Sequence, residues 1–296
     1  MKNLIGYLTI FIIRLFSWMP LGMARAFGCL LARIVWRTSD SFRHVADVNT
    51  RLCFPQLPDS ERNRLMRKAF INNAMMFTEM GLMWGRPAKD SLAHINQIHG
   101  EEIFDAAITE GKGVLLLVPH LGNWELTNTY IASRSDLTAM YRPARNPVFD
   151  EWMHSRREAT GGELVPTTTG GIKALYRALR NGGVVGVLPD QEPRPEGGEF
   201  APFLGTQALT PTLPVQLLKR TGARAVFLFA RRLEDQAKFD LHFVEPDEEI
   251  YAADTSVALA AMNRTVERCI RICPEQYQWL YKRFKRQPAG RDNPYR

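Results

Sequence analysis

The sequence predicts an α/β protein: a single mixed, mostly parallel sheet flanked by helices, with an apolar helical segment at its N-terminus. Three observations carry that reading. Two short runs, Val114-Leu115-Leu116-Leu117-Val118 and Val184-Val185-Gly186-Val187-Leu188, are apolar at every position, as strands covered on both faces must be. Strand-like and helix-like patterns alternate along the chain, which demands crossover connections and hence parallel pairing. The first 38 residues stand apart, being apolar and basic with no acidic residue.

That leading segment reads as two helices. Residues 4–13, L-I-G-Y-L-T-I-F-I-I, are continuously apolar; Arg14 interrupts them and Pro20 closes the stretch. The uninterrupted run is ten residues, against the roughly 20 needed to cross a hydrocarbon core. A second stretch, Leu21 to Trp36, carries Arg25 and Arg33. The pattern suits basic, apolar helices that insert shallowly or span marginally with snorkelling arginines, and Trp18 and Trp36 suit an interfacial depth. A buried core hairpin is the competing arrangement. No small-x-small cleavage site marks a signal peptide. Residues 1–38 are therefore read as membrane-associating helices and 39–296 as the α/β domain.

Along that domain, Asp59-Ser60-Glu61 starts a helix that continues to Gly85. Its Met75, Met76, Met80 and Met83 are either core or a soft apolar lining. A short helix over 101–110 precedes the buried strand 113–118, and after a turn at 119–123 a helix runs to about residue 133. A strand at 137–141 and helices at 147–159 and 171–181 lead to the second buried strand, 184–188. A Pro/Gly-rich loop covers 192–205. Helix 211–221, strands 225–230 and 239–244, and helix 255–272 complete the order.

Composition narrows the function classes. With 45% hydrophobic and 23% charged residues the 296-residue chain has ample core and is not disordered. A net charge of +7 suits an acidic partner, whether nucleic acid, an anionic membrane or an acidic carrier protein. No nucleic-acid module is recognisable. Cys269 and Cys273 lie one helical turn apart with no second pair and no neighbouring histidine, so they read as half-buried apolar residues rather than a zinc site. Nothing implies a disulfide framework, which fits a reducing, cytosol-facing compartment.

Sites in open α/β sheets lie beyond the carboxyl ends of strands. Two predicted exits carry polar residues: V-P-H-L-G-N-W-E at 118–125 and L-P-D-Q-E-P at 188–193. His120 is a natural general base, and Glu125, in the first turn of the following helix, can accept its other ring N–H if Gly122 lets the backbone fold back. Asn123 can cap that helix. The spacing alone equally allows a surface histidine and a helix-terminal glutamate that never touch. There is no G-x-S-x-G, no paired cysteine, no G-x-G-x-x-G and no P-loop. A base without a protein nucleophile implies a hydroxyl or water as attacker. The competing chemistries are a metal-dependent hydrolase with His120, Glu125 and Asp190 as ligands, and a basic binding protein without catalysis.

H-L-G-N-W-E at 120–125, Y-R-P at 141–143, N-P at 146–147, L-P-D-Q-E-P at 188–193, A-P-F-L-G at 201–205 and Y-K-R-F-K at 281–285 follow in one order. In that combination the chain resembles the late acyltransferases of lipid A biosynthesis (the lauroyl/myristoyl transferases), within the wider His-x4-Asp/Glu glycerolipid acyltransferase-like group. The resemblance implies a glycerolipid acyltransferase-like fold at the inner membrane, with the catalytic domain on the cytoplasmic side. It implies acyl transfer from an acyl-carrier-protein thioester to the 3-hydroxyl of a hydroxyacyl chain on a lipid A precursor, without cofactor or metal. A lysophospholipid or another glycolipid is the alternative acceptor. On this pattern His120 takes the hydroxyl proton and Glu125 orients His120. Arg157, Arg142, Asp190, Gln191 and Asn123 form the implied substrate-binding or oxyanion set. Arg145, Arg156 and the 282–286 basic run are further candidate contacts to phosphate or carrier.

Overall fold

In the computed structural model, which describes residues 2–296, the two all-apolar runs are hydrogen-bonded neighbours inside a seven-stranded sheet. The elements follow in the order α1 (Lys2–Ser17), α2 (Leu21–Thr38), α3 (Asp40–Cys53), α4 (Asp59–Gly85), α5 (Ala88–Leu92), β1 (Ile95–His99), α6 (Glu101–Thr109), β2 (Val114–Leu117), α7 (Trp124–Ala132) and β3 (Leu137–Tyr141). Then come α8 (Pro147–Glu158), β4 (Glu163–Pro166), α9 (Thr169–Arg180), β5 (Val184–Val187), β6 (Gly198–Phe203), β7 (Thr206–Pro211), α10 (Leu213–Thr221), β8 (Arg224–Arg232), β9 (Phe239–Val244) and α11 (Thr255–Ile272). Local chemistry sets many of the helix starts. Ser39, Asn146, Thr168 and Asp254 each accept a backbone N–H of the first turn, and Pro147 fits the opening position of α8.

The strand order is β1-β9-β8-β2-β5-β3-β4. β8, β2, β5, β3 and β4 run parallel, whereas β9 is antiparallel to β8 and β1 follows β9. The sheet is thus mixed but mostly parallel, as the alternation of patterns required. Successive residues of β2 face opposite cores. Leu115 and Leu117 pack with Leu175 and Leu179 of α9 and Leu217 of α10; Val114 and Leu116 pack with Leu126 of α7 and Met153 of α8. Helices on both faces explain why no polar residue is tolerated in this strand.

Strands that the sequence reading lacks have two causes. β1 and β4 were not foreseen, and both are the edge strands, where polar and short sequences are usual. The stretch expected as a loop over 192–205 instead contributes β6, which pairs antiparallel with β7 in a separate two-stranded sheet. Its glycines and prolines resemble loop punctuation, but such a ribbon tolerates proline, and Ala201 and Phe203 are buried while Glu199 is exposed.

α1 and α2 pack on α4. Ile13, Leu21, Ala24 and Ala32 are buried there, and a Cβ at Gly28 would meet the Met75 backbone at 2.9 Å, so the helices approach closely because that position is glycine. Their outer side stays apolar: Leu4, Ile5, Leu8, Phe11, Trp18, Phe27, Leu30 and Ile34 are all exposed. Among the described residues no helix is long and apolar enough to cross a membrane. Met76 and Met83 of α4 are core, and Cys269 and Cys273, expected half-buried, are fully buried.

Candidate active site

The parallel register of β2 and β5 builds the site. Leu117 pairs with Val187, and His120 and Asp190 each stand three residues beyond that pair, so two adjacent strand exits present them to one another. Asp190 Oδ1 lies 2.8 Å from His120 Nδ1, and Oδ2 accepts the His120 backbone N–H at 2.9 Å. One carboxylate therefore fixes both the ring and the main chain that carries it. Burial alone would raise the Asp190 pKa, but the His120 charge and these hydrogen bonds outweigh it and hold the carboxyl below its ordinary range. Tyr277, fully buried, lies against the same carboxylate; burial and that charge push its hydroxyl well above the usual value. With Nδ1 engaged, Nε2 is the ring nitrogen left for the cleft that His120 lines.

The expected hydrogen bond between His120 and Glu125 is not formed. Glu125, buried at the first turn of α7, instead accepts the Trp84 indole N–H at 3.0 Å and two N–H groups of Arg157, the Nε bond being 2.9 Å. The reason is the turn. Gly122, at φ +62°, hugs the end of β8, where an added Cβ would sit 1.9 Å from the Ala230 carbonyl oxygen. Gly122 N–H donates to Gln276 and Asn123 N–H to Ala230. The helix that follows directs Glu125 to α8, and the second strand exit supplies the partner of His120.

Arg157 reaches the cleft from α8 with its guanidinium 5.3 Å from the Trp84 ring centroid. Burial works to lower its pKa, and the attraction of Glu125 outweighs this, so the cation is secured. The two-point carboxylate contact fixes the guanidinium plane as a lysine could not be fixed. Arg142 and Gln191 also line the cleft, and Gln191 donates to the Gln278 side chain at 2.8 Å.

Asn123 does not face a ligand. Its Oδ1 caps α7 at Leu126 N–H and its Nδ2 donates to Glu79 at 2.8 Å, so both ends are used inside the protein. Glu79 is wholly buried and is also bound by Arg25 of α2 and Arg232 of β8, each at 2.8 Å. Arg156 is turned to the Trp84 carbonyl. The 282–286 run is not a continuous cationic strip, because Arg283 and Phe284 are interior and Arg283 donates to the Leu209 carbonyl.

The cleft encloses about 320 Å³, with Met140, Met153, Leu164 and Leu188 as an apolar floor and His120, Arg142 and Arg157 as polar walls. Trp124 and Tyr141, which line the cleft, fall within the motifs at 120–125 and 141–143, whereas Trp84 and Tyr277, which touch Glu125 and Asp190, have no signature in the sequence; only the folded chain brings them here. Among the described residues the grouping within metal-ligand reach is His99, Asp240 and His242 on β1 and β9, so Glu125 and Asp190 do not converge with His120 as a ligand set. A base oriented by a carboxylate, a fixed cation and an apolar floor suit acyl transfer to a hydroxyl.

Comparison with known proteins agrees with that chemistry. Residues 1–286 match the family described as bacterial lipid A biosynthesis acyltransferase. The lipid A biosynthesis lauroyltransferase of Escherichia coli (strain K12) is 29% identical over 278 residues, covering 94% of this chain and 90% of the relative. The palmitoleoyltransferase of the same strain is 29% identical over 252 residues (85% and 81% covered). Its myristoyltransferase is 29% identical over 267 residues (90% and 82%).

Proposed function

The chain belongs to the bacterial lipid A biosynthesis acyltransferase family and is an acyltransferase; from that premise we propose that it moves an acyl group from an acyl-carrier-protein thioester to the 3-hydroxyl of a hydroxyacyl chain on a lipid A precursor. The observation that carries the mechanism is the His120–Asp190 contact. Asp190 holds the Nδ1–H tautomer, so Nε2 takes the acceptor hydroxyl proton as its oxygen bonds to the thioester carbonyl carbon. The carbonyl oxygen becomes an oxyanion, and Arg157, immobilised by Glu125, is placed to stabilise it. Collapse breaks the carbon–sulfur bond, and the imidazolium returns its proton to the departing thiolate. The apolar floor receives the acyl chain, and Arg142 is a contact for acceptor phosphate. The fold is read as glycerolipid acyltransferase-like.

Lipid A from cells lacking the protein, measured by mass spectrometry, should lose the mass of one acyl chain. In vitro, labelled acyl carrier protein should label a lipid A precursor with the parent protein and not with His120→Ala. Transfer to lysophosphatidic acid alone would sink the acceptor assignment.

We propose the inner membrane as the site of action, and α1 and α2 support that reading. Exposed apolar side chains with Trp18 at 81% exposure, beside Arg14, Arg33 and Arg37 in a segment that has no acidic residue of its own, suit a helix pair lying in the interface of an anionic inner membrane, with the catalytic domain on the cytoplasmic side. Replacing Phe11, Trp18 and Phe27 together by serine should release the protein from vesicles containing anionic lipid while its unfolding midpoint changes little. Undiminished sedimentation with vesicles would overturn the docking face.

A further inference from the structure

We propose that the outer face of α9, with Arg220 of α10, is the docking ridge for the acidic carrier protein; this rests on the acyl-carrier donor reading above. α9 has no acidic residue, and its Lys173, Arg177 and Arg180 recur at the four- and three-residue spacing that aligns side chains on one helix face. All three are exposed, while Leu175 and Leu179 on the opposite side are buried in the core. Arg220 joins them from α10, its guanidinium 5.9 Å from the Tyr176 ring centroid. Together they line a groove of about 420 Å³, and among the described residues no carboxylate lines it. Four cations left without counter-charge on one surface are the complement of an acidic, helical protein face.

Position and polarity select this partner. α9 begins two residues after Thr167, which lines the active-site cleft, and runs about 18 Å away from it, with Lys173 nearest that end and Arg180 at the far one. A carrier seated on the ridge thus lies along α9 and reaches the cleft through its flexible thioester-bearing arm, which must run back along the helix. α9 and α10 pack on the face of the sheet opposite α7 and α8. The exposed apolar residues of α1 and α2 have no counterpart on α9 or α10. A bilayer asks for apolar side chains beside the charges, whereas a soluble acidic protein does not.

The test uses the full chain in mixed micelles and compares two donors, an acylated carrier protein and the same acyl group on pantetheine alone. Lys173→Glu, Arg177→Glu and Arg180→Glu together should raise KM for the carrier-bound donor about tenfold or more and leave kcat within about twofold. Turnover of the pantetheine thioester should be unchanged, which also shows that the variant is folded. Added salt should raise the parent's KM for the carrier and barely move the variant's. An unchanged KM for the carrier overturns the ridge while leaving the donor reading intact. A parent that uses the pantetheine thioester but never the carrier overturns both. Lost vesicle binding at unchanged KM reassigns the ridge to the membrane and overturns the proposal.

Discussion

Asp190→Asn is expected to lower kcat by about 10³–10⁴-fold, with a much smaller change in KM. The backbone N–H of His120 requires an acceptor, so the asparagine oxygen takes the place of Oδ2 and its NH₂ group faces Nδ1. Nδ1 must then accept, the ring proton moves to Nε2, and the nitrogen facing the cleft can no longer act as a base. His120→Ala should reach a similar floor, and the double variant should be hardly worse than either single one, since the two residues act as a unit. Glu125→Gln should act differently, by loosening Arg157, and its loss should be partly additive with that of Asp190→Asn. If Asp190→Asn keeps kcat within about tenfold of the parent while Glu125→Gln abolishes it, the assignment of His120 to Asp190 is wrong.

Glu79→Ala is expected to cost about 3–5 kcal/mol of stability, because breaking a buried ion pair strands its partners in a medium that solvates them poorly. Here Arg25 and Arg232 would both lose their carboxylate, and the Asn123 amide would lose its acceptor. Denaturant unfolding of the detergent-solubilised chain measures this, and a loss below about 1 kcal/mol would show that water or rearrangement compensates. The same group gives a pH signature. Burial would raise the Glu79 pKa, but Arg232 and Arg25 outweigh it and leave the folded-state value lowered. Its stabilisation is therefore fully present above the ordinary carboxylate range and is lost as pH falls through the folded-state value. Asp190 acts in the same direction. Stability should fall on acidification below the ordinary carboxylate range, and Glu79→Gln should flatten that fall.

The site divides cleanly between what neighbouring residues reveal and what distant ones supply. The two buried strands were legible because a strand covered on both faces has no polar position, and their exits marked His120 and Asp190 as candidates. Glu125 was assigned to the wrong partner because nearness in sequence is a weak guide at a tight turn. Gly122 does bend the chain, as expected, but the close approach of β8 decides where the next helix turn points. Glu79 carried no signal at all. A glutamate in a long methionine-rich helix looks like a solvated position until Arg25, Asn123 and Arg232 arrive from three other elements.

The sequence by itself determined the alternation of strands and helices, the two central strands, the apolar basic N-terminus and, through the ordered motifs, the family. These depend on periodicity and local pattern, which a linear chain displays in full. Only the tertiary structure decided that Asp190 holds His120, that Glu125 holds Arg157, and that Asn123 is tied to a buried carboxylate on α4. Those pairings join residues 32 to 70 positions apart, and the register of two parallel strands and the packing of helices on them select which polar groups meet. Burial then makes each choice strict, because a charge removed from water must find its partner inside.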